Sequence, residues 1–143
     1  MKLVVDTNIV FSALLNPSSN IGELLLDINS KFEFFASNYL LLELNKYNEK
    51  LSAYTKLTKV DLEIVKEYTL AGITFIAPES ISKKSFSLSK ELTKNIDLYD
   101  QPIVALAIEL DTKLWTGDKK LYMGIKKKDR KIPINTEEIL KLL

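Results

Sequence analysis

The first residues of the chain constrain the fold more than any other stretch. Residues 3–5 are Leu-Val-Val, an apolar run typical of a strand that is buried on both faces of a parallel sheet. Three polar residues beginning with Asp6 follow at once, so Asp6 lies at the carboxyl end of that strand. Ligands of open α/β sheets bind beyond the carboxyl ends of the strands, and the pattern therefore predicts a functional site at Asp6. The alternative is that Asp6 or Asn8 only caps a helix predicted for residues 9–15.

Short apolar runs and helical periodicities alternate along the rest of the chain. Further strands are predicted at residues 32–36, 73–77 and 113–116, with an edge strand at 131–134. Further helices are predicted from about residues 20, 38, 58, 102 and 136, with a short helix over the site within 79–94 and a basic helix or loop at 119–128. This alternation favours an α/β fold in a single domain, residues 1–143, because no linker, internal repeat or low-complexity tract divides the chain.

Two of these helices carry apolar residues at helical spacing. In the helix from residue 20 they are Ile21, Leu24, Leu25 and Ile28. In the helix from residue 38 the predicted inward stripe is Leu40, Leu41, Leu44 and Tyr47. Glu43 lies beside that stripe and is a candidate site residue; the alternative is a solvated side chain or a helix-dipole partner.

The chain contains no histidine and no cysteine. It therefore cannot form a Ser-His-Asp triad, a cysteine nucleophile or a histidine-ligated zinc site. Carboxylate chemistry with a hard, oxygen-binding metal ion remains, together with a serine–lysine arrangement. Ser80 with Lys83, and Ser87 with Lys90, fit the Ser-x-x-Lys spacing, but such matches arise easily in a segment rich in both residues.

Acidic residues recur at predicted strand ends and helix starts. They are Asp6, Glu43, Asp97, Asp100 and Asp118. In a right-handed parallel sheet these positions converge on one edge, so the residues form a candidate catalytic cluster. Asp97 and Asp100 are close in sequence and repel one another unless a cation or a proton lies between them, which favours a metal site. One of the two is also a candidate helix N-cap.

These acidic residues and their flanks resemble the four-part signature of PIN domains. The parts are Asp6-Thr7-Asn8, Glu43 within residues 41–44, Asp100 ahead of the apolar residues 103–107, and Trp115-Thr116-Gly117-Asp118. They follow the family's order and spacing from residue 3 to about residue 120, so the resemblance spans most of the chain. It implies a three-layer α/β/α sandwich with a mostly parallel central sheet.

The resemblance also implies an activity and a cofactor. It indicates an endoribonuclease of single-stranded RNA that requires Mg²⁺ or Mn²⁺, of the kind found in VapC-type toxins of toxin–antitoxin pairs. The family's acidic quartet corresponds to Asp6, Glu43, Asp100 and Asp118. Asp6, Asp100 and Asp118 are the expected metal ligands, and Asp97 matches a further acidic position nearby. The expected supports, which hydrogen bond to the ligating carboxylates, are Asn8 and Thr116.

Two other functions are compatible with parts of the pattern. A haloacid-dehalogenase-type phosphatase also has an aspartate after its first strand, but the second aspartate that it needs is replaced here by Asn8. A non-catalytic PIN-like module that binds RNA or a protein partner is the stronger alternative, although a complete acidic quartet argues against it.

A basic segment follows Asp118 and is a candidate for binding the phosphates of RNA. It contains Lys119, Lys120, Lys126, Lys127, Lys128 and Arg130. Because the formal net charge of the chain is only +1, affinity for RNA must come from such a local patch. The alternative is a solvated basic face.

Protein partners and location are expected from the same interpretation. A toxin of this type pairs with a small antitoxin protein, and a homodimer is the other candidate assembly. No apolar run reaches the roughly 18 residues of a membrane span, and the N-terminus lacks the pattern of a signal peptide. A cytoplasmic location without membrane contact is therefore expected.

Overall fold

The structure, a computed structural model, describes residues 1–143 and contains one five-stranded sheet. The strands are β1 (Lys2–Val5), β2 (Glu33–Ser37), β3 (Ile73–Ile76), β4 (Lys113–Trp115) and β5 (Pro133–Ile134). Their order across the sheet is β3-β2-β1-β4-β5, and every neighbouring pair is parallel. The sheet is therefore entirely parallel, with β1 at its centre.

Nine helices connect and cover the strands. They are α1 (Thr7–Leu15), α2 (Asn20–Leu26), α3 (Tyr39–Lys46), α4 (Asn48–Tyr54), α5 (Lys59–Ala71), α6 (Lys83–Leu92), α7 (Gln101–Glu109), α8 (Lys119–Lys126) and α9 (Thr136–Leu140). Short 3₁₀ turns at Pro78–Ser80 and Leu98–Asp100 precede α6 and α7. None of the helices alone is long and apolar enough to cross a membrane; only α1 and α2 taken together, across a bend of 107°, pass that test.

The apolar side chains of β1 divide between two cores. Leu3 and Val5 belong to a cluster built with α1 to α5 and α9 on one face of the sheet. Val4 belongs to a second cluster built with α7 and α8 on the other face. Successive side chains of a strand point to opposite faces, so a central strand covered on both sides must be apolar at every position. The predicted three-layer α/β/α sandwich is confirmed.

β1 also marks the place where the order of the strands reverses. From β1 the chain passes to β2 on one side, and it later returns to β4 on the other side. Asp6, directly after β1, donates its backbone N–H to the carbonyl of Trp115 at the end of β4 (3.0 Å). Such a reversal leaves a crevice beyond the carboxyl ends of the two strands, between the loops that leave them.

Two predicted apolar stripes are narrower in the structure than in the sequence. Ile28 lies beyond the end of α2 and is exposed. In α3 only Leu40 and Leu44 are buried, whereas Leu41 and Tyr47 are exposed, so their predicted inward orientation is wrong. The chain ends α3 and turns at once into α4, a separate helix that the periodicity did not predict. The edge strand is also shorter than predicted, since β5 contains two residues.

The polar helix predicted within residues 79–94 is α6, but its predicted position over the site is wrong. It packs along α7, where the hydroxyls of Ser82 and Ser85 donate hydrogen bonds to Glu109 (2.9 and 2.5 Å). Small serine side chains allow the two helices to approach closely, and the glutamate satisfies the hydroxyls. No side chain of α6 lines the cavity at the carboxyl end of β1.

Gly22→Ala is expected to destabilise the fold by about 2 kcal/mol, within the range found for overpacking. A Cβ at buried Gly22 would lie 2.2 Å from the carbonyl oxygen of Pro17, a backbone atom that cannot rotate away. Gly72→Ala is the matched control, because a Cβ there would lie 3.5 Å from its nearest neighbour, the carbonyl of Thr69. Urea denaturation should show a lower midpoint for Gly22→Ala only. Equal midpoints in the two variants would contradict the prediction.

Candidate active site

A cavity of about 330 Å³ lies at the carboxyl end of β1, and acidic side chains line it. The acidic residues are Asp6, Glu43, Asp100 and Asp118. The structure thus brings together the whole predicted quartet, while Asp97 lines an adjoining groove instead. Phe11, Tyr47 and Lys50 also line the cavity and were not predicted, because their positions depend on how α1, α3 and α4 pack together.

Asp6 is held in place by two hydrogen bonds. Its Oδ1 accepts from the N–H of Thr7 (2.7 Å), and its Oδ2 accepts from the hydroxyl of Thr116 at the end of β4 (2.7 Å). The first bond makes Asp6 the N-cap of α1. The Asp6 side chain thus caps the helix and also lines the cavity, so the two predicted alternatives for it do not exclude each other. The second bond is the contact predicted for Thr116. Each carboxylate oxygen keeps a further lone pair for a ligand.

Burial raises the pKa of Asp6 to about 6. This value already includes the hydrogen bonds from Thr116 and Thr7, which lower the pKa, and the charges of Glu43 and Asp118, which raise it. Removal from water is the main cause, since a carboxylate loses solvation when it is enclosed by protein. Asp6 therefore gives up its proton less readily than an ordinary aspartate.

Asp118 is exposed and lies between β4 and α8. Its Oδ1 accepts from the N–H groups of Lys120 and Leu121 (2.9 and 3.2 Å), which makes Asp118 the N-cap of α8. Its own N–H donates to the hydroxyl oxygen of Thr116 (3.1 Å). One threonine thus links Asp6 and Asp118, and the capping bonds leave Oδ2 of Asp118 facing no protein donor.

Asn8 makes a different contact from the one predicted for it. Its Oδ1 accepts from the N–H of Gly117 (3.2 Å), in the loop that leads to Asp118. Asn8 therefore fastens this loop to the first turn of α1 and does not bond directly to a carboxylate. Its effect on the site is to fix the backbone from which Asp118 projects.

Glu43 enters the cavity from α3, on the opposite side from β4. Its Oε1 accepts from the hydroxyl of Thr7 (2.8 Å), which joins α3 to the first residue of α1. Glu43 is in the middle of α3, so the helix-dipole alternative does not apply. Thr7 is buried, and its role was missed, although a hydroxyl directly after the strand and between two candidate site residues was a signal for it.

The two aspartates at residues 97 and 100 have different environments. Oδ1 of Asp97 accepts from the N–H of Tyr99 (3.0 Å) and caps the 3₁₀ turn Leu98–Asp100, so Asp97 caps this turn and not the predicted helix, α7. Asp100 makes no capping bond and lines the cavity. Burial, together with the negative charges of Asp6, Asp97, Asp118 and Glu43, raises the pKa of Asp100 to about 7.

No basic side chain neutralises the acidic cavity. The only ion pair within 4.0 Å joins Lys141 to Glu137 on α9. Lys50 lines the cavity without pairing with any of its carboxylates. Four acidic groups that repel one another in one cavity favour either protonation or a divalent cation.

The oxygen donors fit a hydrated Mg²⁺ or Mn²⁺ ion. Magnesium usually takes one or two carboxylates and completes its shell with waters and substrate phosphates, which an open cavity admits. No three acidic side chains converge closely enough to hold an ion by protein atoms alone. Since carboxylates repel one another, such a set closes only around a cation. The donors therefore suit an ion that keeps part of its water shell.

The first two residues of the predicted basic segment directly follow Asp118, which lines the cavity. Lys119 and Lys120 begin α8 directly after Asp118, and both are exposed. Lys127 and Arg130 are exposed beyond the other end of that helix. Phosphates that flank a bond held at Asp118 would reach the first pair more easily than the second.

Two other lysines of the segment are engaged within the protein. Nζ of Lys126 donates to the hydroxyl of Tyr122 (2.6 Å) and lies 4.8 Å from the centroid of its ring. Nζ of Lys128 donates to the carbonyl of Glu91 near the end of α6 (3.0 Å). These contacts compete with any phosphate, so Lys126 and Lys128 are less available than the sequence suggests.

Neither of the other enzymatic alternatives fits the cavity. Ser80 ends a 3₁₀ turn and Ser87 lies on α6, so neither serine of the Ser-x-x-Lys matches lines it. The position at which a phosphatase needs its second aspartate is Asn8, which binds the loop at Gly117.

Comparison with known proteins gives a family and a fold. A family model described as PIN domain matches residues 4–139. No match was found among curated proteins. Among solved structures, the chain is similar to a chain in the crystal structure of VapBC2 from Rickettsia felis bound to a DNA fragment from their promoter. That similarity has a TM-score of 0.67 and 19% sequence identity, and covers 94% of this chain and 98% of that chain.

Proposed function

The chain belongs to the PIN domain family, and we propose that it is a divalent-metal-dependent endoribonuclease that hydrolyses single-stranded RNA. One observation carries this proposal: four carboxylates line one open cavity at the switch point of the sheet, and no basic side chain pairs with them. A cluster of this kind is costly for folding, so a ligand that neutralises it is the best explanation for its presence.

The proposed ligands of Mg²⁺ or Mn²⁺ are Asp6, Asp100 and Asp118. A bound divalent ion lowers the pKa of an attacking water and stabilises the charge that develops on a scissile phosphate. Thr116 holds Asp6 through its Oδ2, and Thr7 holds Glu43 through its Oε1. These contacts fix the directions in which the carboxylates present their remaining lone pairs.

Glu43 and Asp97 are proposed to have different roles at the edge of this site. Glu43 lines the cavity with one carboxylate oxygen held by Thr7, and we assign it to hydrogen bonding with the attacking water. Asp97 caps the turn that ends at Asp100, so it is a positioning residue for that ligand. No histidine base is needed when a metal-bound water supplies the nucleophile.

Incubation of a labelled single-stranded RNA with Mg²⁺, Mn²⁺ or EDTA tests the proposed activity. We expect cleavage with either metal ion and none in EDTA. The same RNA annealed to its complement is the control for strand preference. Cleavage that persists in EDTA would contradict the metal requirement, and binding without cleavage in all conditions would favour the non-catalytic module.

Replacing Lys119 and Lys120 together by glutamine is expected to weaken RNA binding and its salt dependence. Each phosphate contact to a single strand contributes about 0.7 to the slope of log K against log salt, so two lost contacts lower the slope by about 1.4. Lys56 and Lys59 are the matched control pair, because both side chains are exposed. The backbone N–H of Lys56 donates to the carbonyl of Leu15, the last residue of α1, which places this pair away from the cavity. Equal slopes in the two double variants would favour the solvated-face alternative.

A protein partner is a further part of the proposal, either a small antitoxin or a second copy of the chain. The similar crystal structure is that of VapBC2 bound to promoter DNA. In this chain Val60, Ile64 and Tyr68 form an apolar row along α5, and each is more than half exposed. A row of this kind suits a partner helix. Co-purification with the product of a neighbouring gene tests for an antitoxin, and light scattering of the chain alone tests for a homodimer.

A further inference from the structure

An aromatic groove opens beside the acidic cavity. It has a volume of about 570 Å³ and is lined by Tyr39, Tyr47, Phe86 and Tyr99, among others. Glu43 and Tyr47 line both the groove and the acidic cavity. A narrow pocket that contains Tyr39 and Tyr99 together with Asp6 and Asp100 joins the two. The groove and the cavity are therefore one continuous surface.

Tyr99 is the most exposed aromatic side chain of this groove, at 92%. Its backbone is nevertheless held: its N–H donates to Oδ1 of Asp97 (3.0 Å), and the N–H of Asp100 donates to the carbonyl of Asp97 (3.1 Å). Tyr39 is 47% and Tyr47 42% exposed nearby, so Tyr99 belongs to a patch and is not an isolated surface ring. A fixed turn thus presents an aromatic face immediately before the proposed ligand Asp100.

Lys46 supplies a positive charge on the same surface. Its Nζ lies 5.5 Å from the centroid of the Tyr47 ring, within the range of a cation–π contact, and the residue lines the groove. Binding sites for single-stranded nucleic acids combine aromatic faces, on which bases stack, with cations that follow the phosphates. The groove offers both within a short distance of the acidic cavity.

We propose that this groove binds unpaired bases of single-stranded RNA next to the scissile phosphate, with Tyr99 as the main stacking surface. The inference rests on the proposed nuclease function, since the acidic cavity must hold the phosphate. Tyr99 and Asp100 are consecutive residues, so a strand that brings a phosphate to Asp100 brings a neighbouring base to Tyr99. Bases of a duplex are already stacked and paired, and the groove therefore selects single strands.

Fluorescence anisotropy with short RNAs tests the inference. The probes are a labelled single-stranded octamer and a series in which one nucleotide at a time is abasic, all in Ca²⁺, a hard cation that binds carboxylates. The variants are Tyr99→Ala, Tyr99→Phe, which keeps the ring, and Tyr54→Ala, which removes a tyrosine that is 72% exposed outside the groove. Loss of one stacked base is expected to weaken binding about 5- to 150-fold.

Wild type, Tyr99→Phe and Tyr54→Ala should all bind the complete RNA more tightly than the RNA that is abasic at one particular position. Tyr99→Ala should bind these two RNAs equally and at the weaker affinity. Two results would overturn the inference: Tyr99→Ala binds the complete RNA with wild-type affinity, or the wild type binds the complete RNA no more tightly than any abasic RNA. The nuclease proposal would still stand if RNA is cleaved. Absence of both binding and cleavage by wild type would overturn both proposals.

A protein occupant of the groove is a separate outcome of the same experiment. If Tyr99→Ala binds every RNA like the wild type but loses self-association in light scattering, the groove is a contact between copies of the chain. That result would also overturn the inference.

Discussion

Asp6→Asn is expected to reduce the rate of RNA cleavage about a thousandfold while the fold stays intact. A metal ion supplies several kcal/mol of transition-state stabilisation, and each 1.4 kcal/mol is a tenfold change in rate, so losing a charged ligand has an effect of this order. Asparagine is a good N-cap, and its Oδ1 can still accept from the N–H of Thr7. The hydroxyl of Thr116 can accept from the new amide group, because it is both donor and acceptor.

Single-turnover cleavage and thermal melts in EDTA measure the two parts of this prediction. At pH 8 the melting temperature of Asp6→Asn should equal or exceed that of wild type, because the substitution removes a buried charge that neighbouring carboxylates repel. Asp27→Asn is the matched control. Oδ1 of Asp27 accepts a hydrogen bond from the N–H of Asn29 (2.8 Å) in the loop before β2, at the edge of the sheet opposite to the acidic cavity. Undiminished cleavage by Asp6→Asn would rule out Asp6 as a ligand.

In EDTA the stability of the fold is expected to fall between about pH 4 and pH 7. Burial and neighbouring carboxylates raise the pKa of Asp6 to about 6 and that of Asp100 to about 7. In this range the folded chain keeps protons that the unfolded chain has released, so the unfolding free energy decreases as pH rises. The stability gained from the raised pKa values of Asp6 and Asp100 is fully present below pH 4, near the pKa of an aspartate in the unfolded chain. It is lost once the pH exceeds 7.

The expected size of this loss is about 3 kcal/mol, or roughly 10 °C in melting temperature. The raised pKa of Asp6 accounts for most of it, since one pKa unit corresponds to about 1.4 kcal/mol. Asp100 contributes less than its own pKa suggests, because its side chain is only partly buried and water screens its charge.

A divalent ion is expected to reverse this trend. Metal competes with protons for the same carboxylates, so the stabilisation by Mn²⁺ should be small at pH 5 and largest at pH 8. When free metal exceeds its dissociation constant a hundredfold, the gain is about 2.7 kcal/mol. Mg²⁺ gives up its water reluctantly and should give a smaller gain than Mn²⁺ at equal concentration.

Melting curves at pH 5, 6, 7 and 8 in EDTA, Mg²⁺ and Mn²⁺ provide the measurement. Asp6→Asn should remove most of the EDTA profile's slope, and Asp100→Asn should reduce the slope less. Asp100→Asn should also reduce the gain from metal, whereas Asp27→Asn should behave like wild type. Two results would contradict the prediction: a wild-type stability in EDTA that rises from pH 5 to pH 7, or an equal shift by Mn²⁺ in wild type and Asp100→Asn.

The sheet, and the approach of Asp6 to Asp118, could be predicted because both follow from short-range patterns. Residues 3–5 are apolar without interruption, and the structure buries them on alternate faces of a central strand. Asp6 and Asp118 follow two strands that pair directly, so their approach requires only the correct strand order. A parallel sheet brings the carboxyl ends of its strands to one edge, whatever its helices do.

The contact between Thr7 and Glu43 could not be predicted because it depends on how α3 packs on α1. The sequence shows a glutamate beside an apolar stripe, but only two of the stripe's predicted residues, Leu40 and Leu44, are buried. The direction of Glu43 follows from that narrower packing face. Which aspartate of residues 97 and 100 enters the cavity likewise depends on one 3₁₀ turn, which Asp97 caps.

The basic segment shows a further limit of reasoning from charge alone. Nζ of Lys128 donates to the carbonyl of Glu91, which lies near the end of α6 and 37 residues earlier in the chain. A carbonyl acceptor leaves no signature in a sequence, since every residue has one. The charge of Lys128 could therefore be predicted, but not that the side chain is already engaged.

A manganese soak of crystals, measured at a wavelength with strong anomalous scattering from Mn²⁺, tests most directly whether the acidic cavity is a divalent-metal site. The predicted result is an anomalous peak within bonding distance of Asp6, Asp100 and Asp118, and its loss from crystals of Asp6→Asn soaked in the same way. A cavity without a peak at saturating Mn²⁺, or a peak that Asp6→Asn leaves unchanged, would contradict the assignment of these carboxylates as the metal ligands.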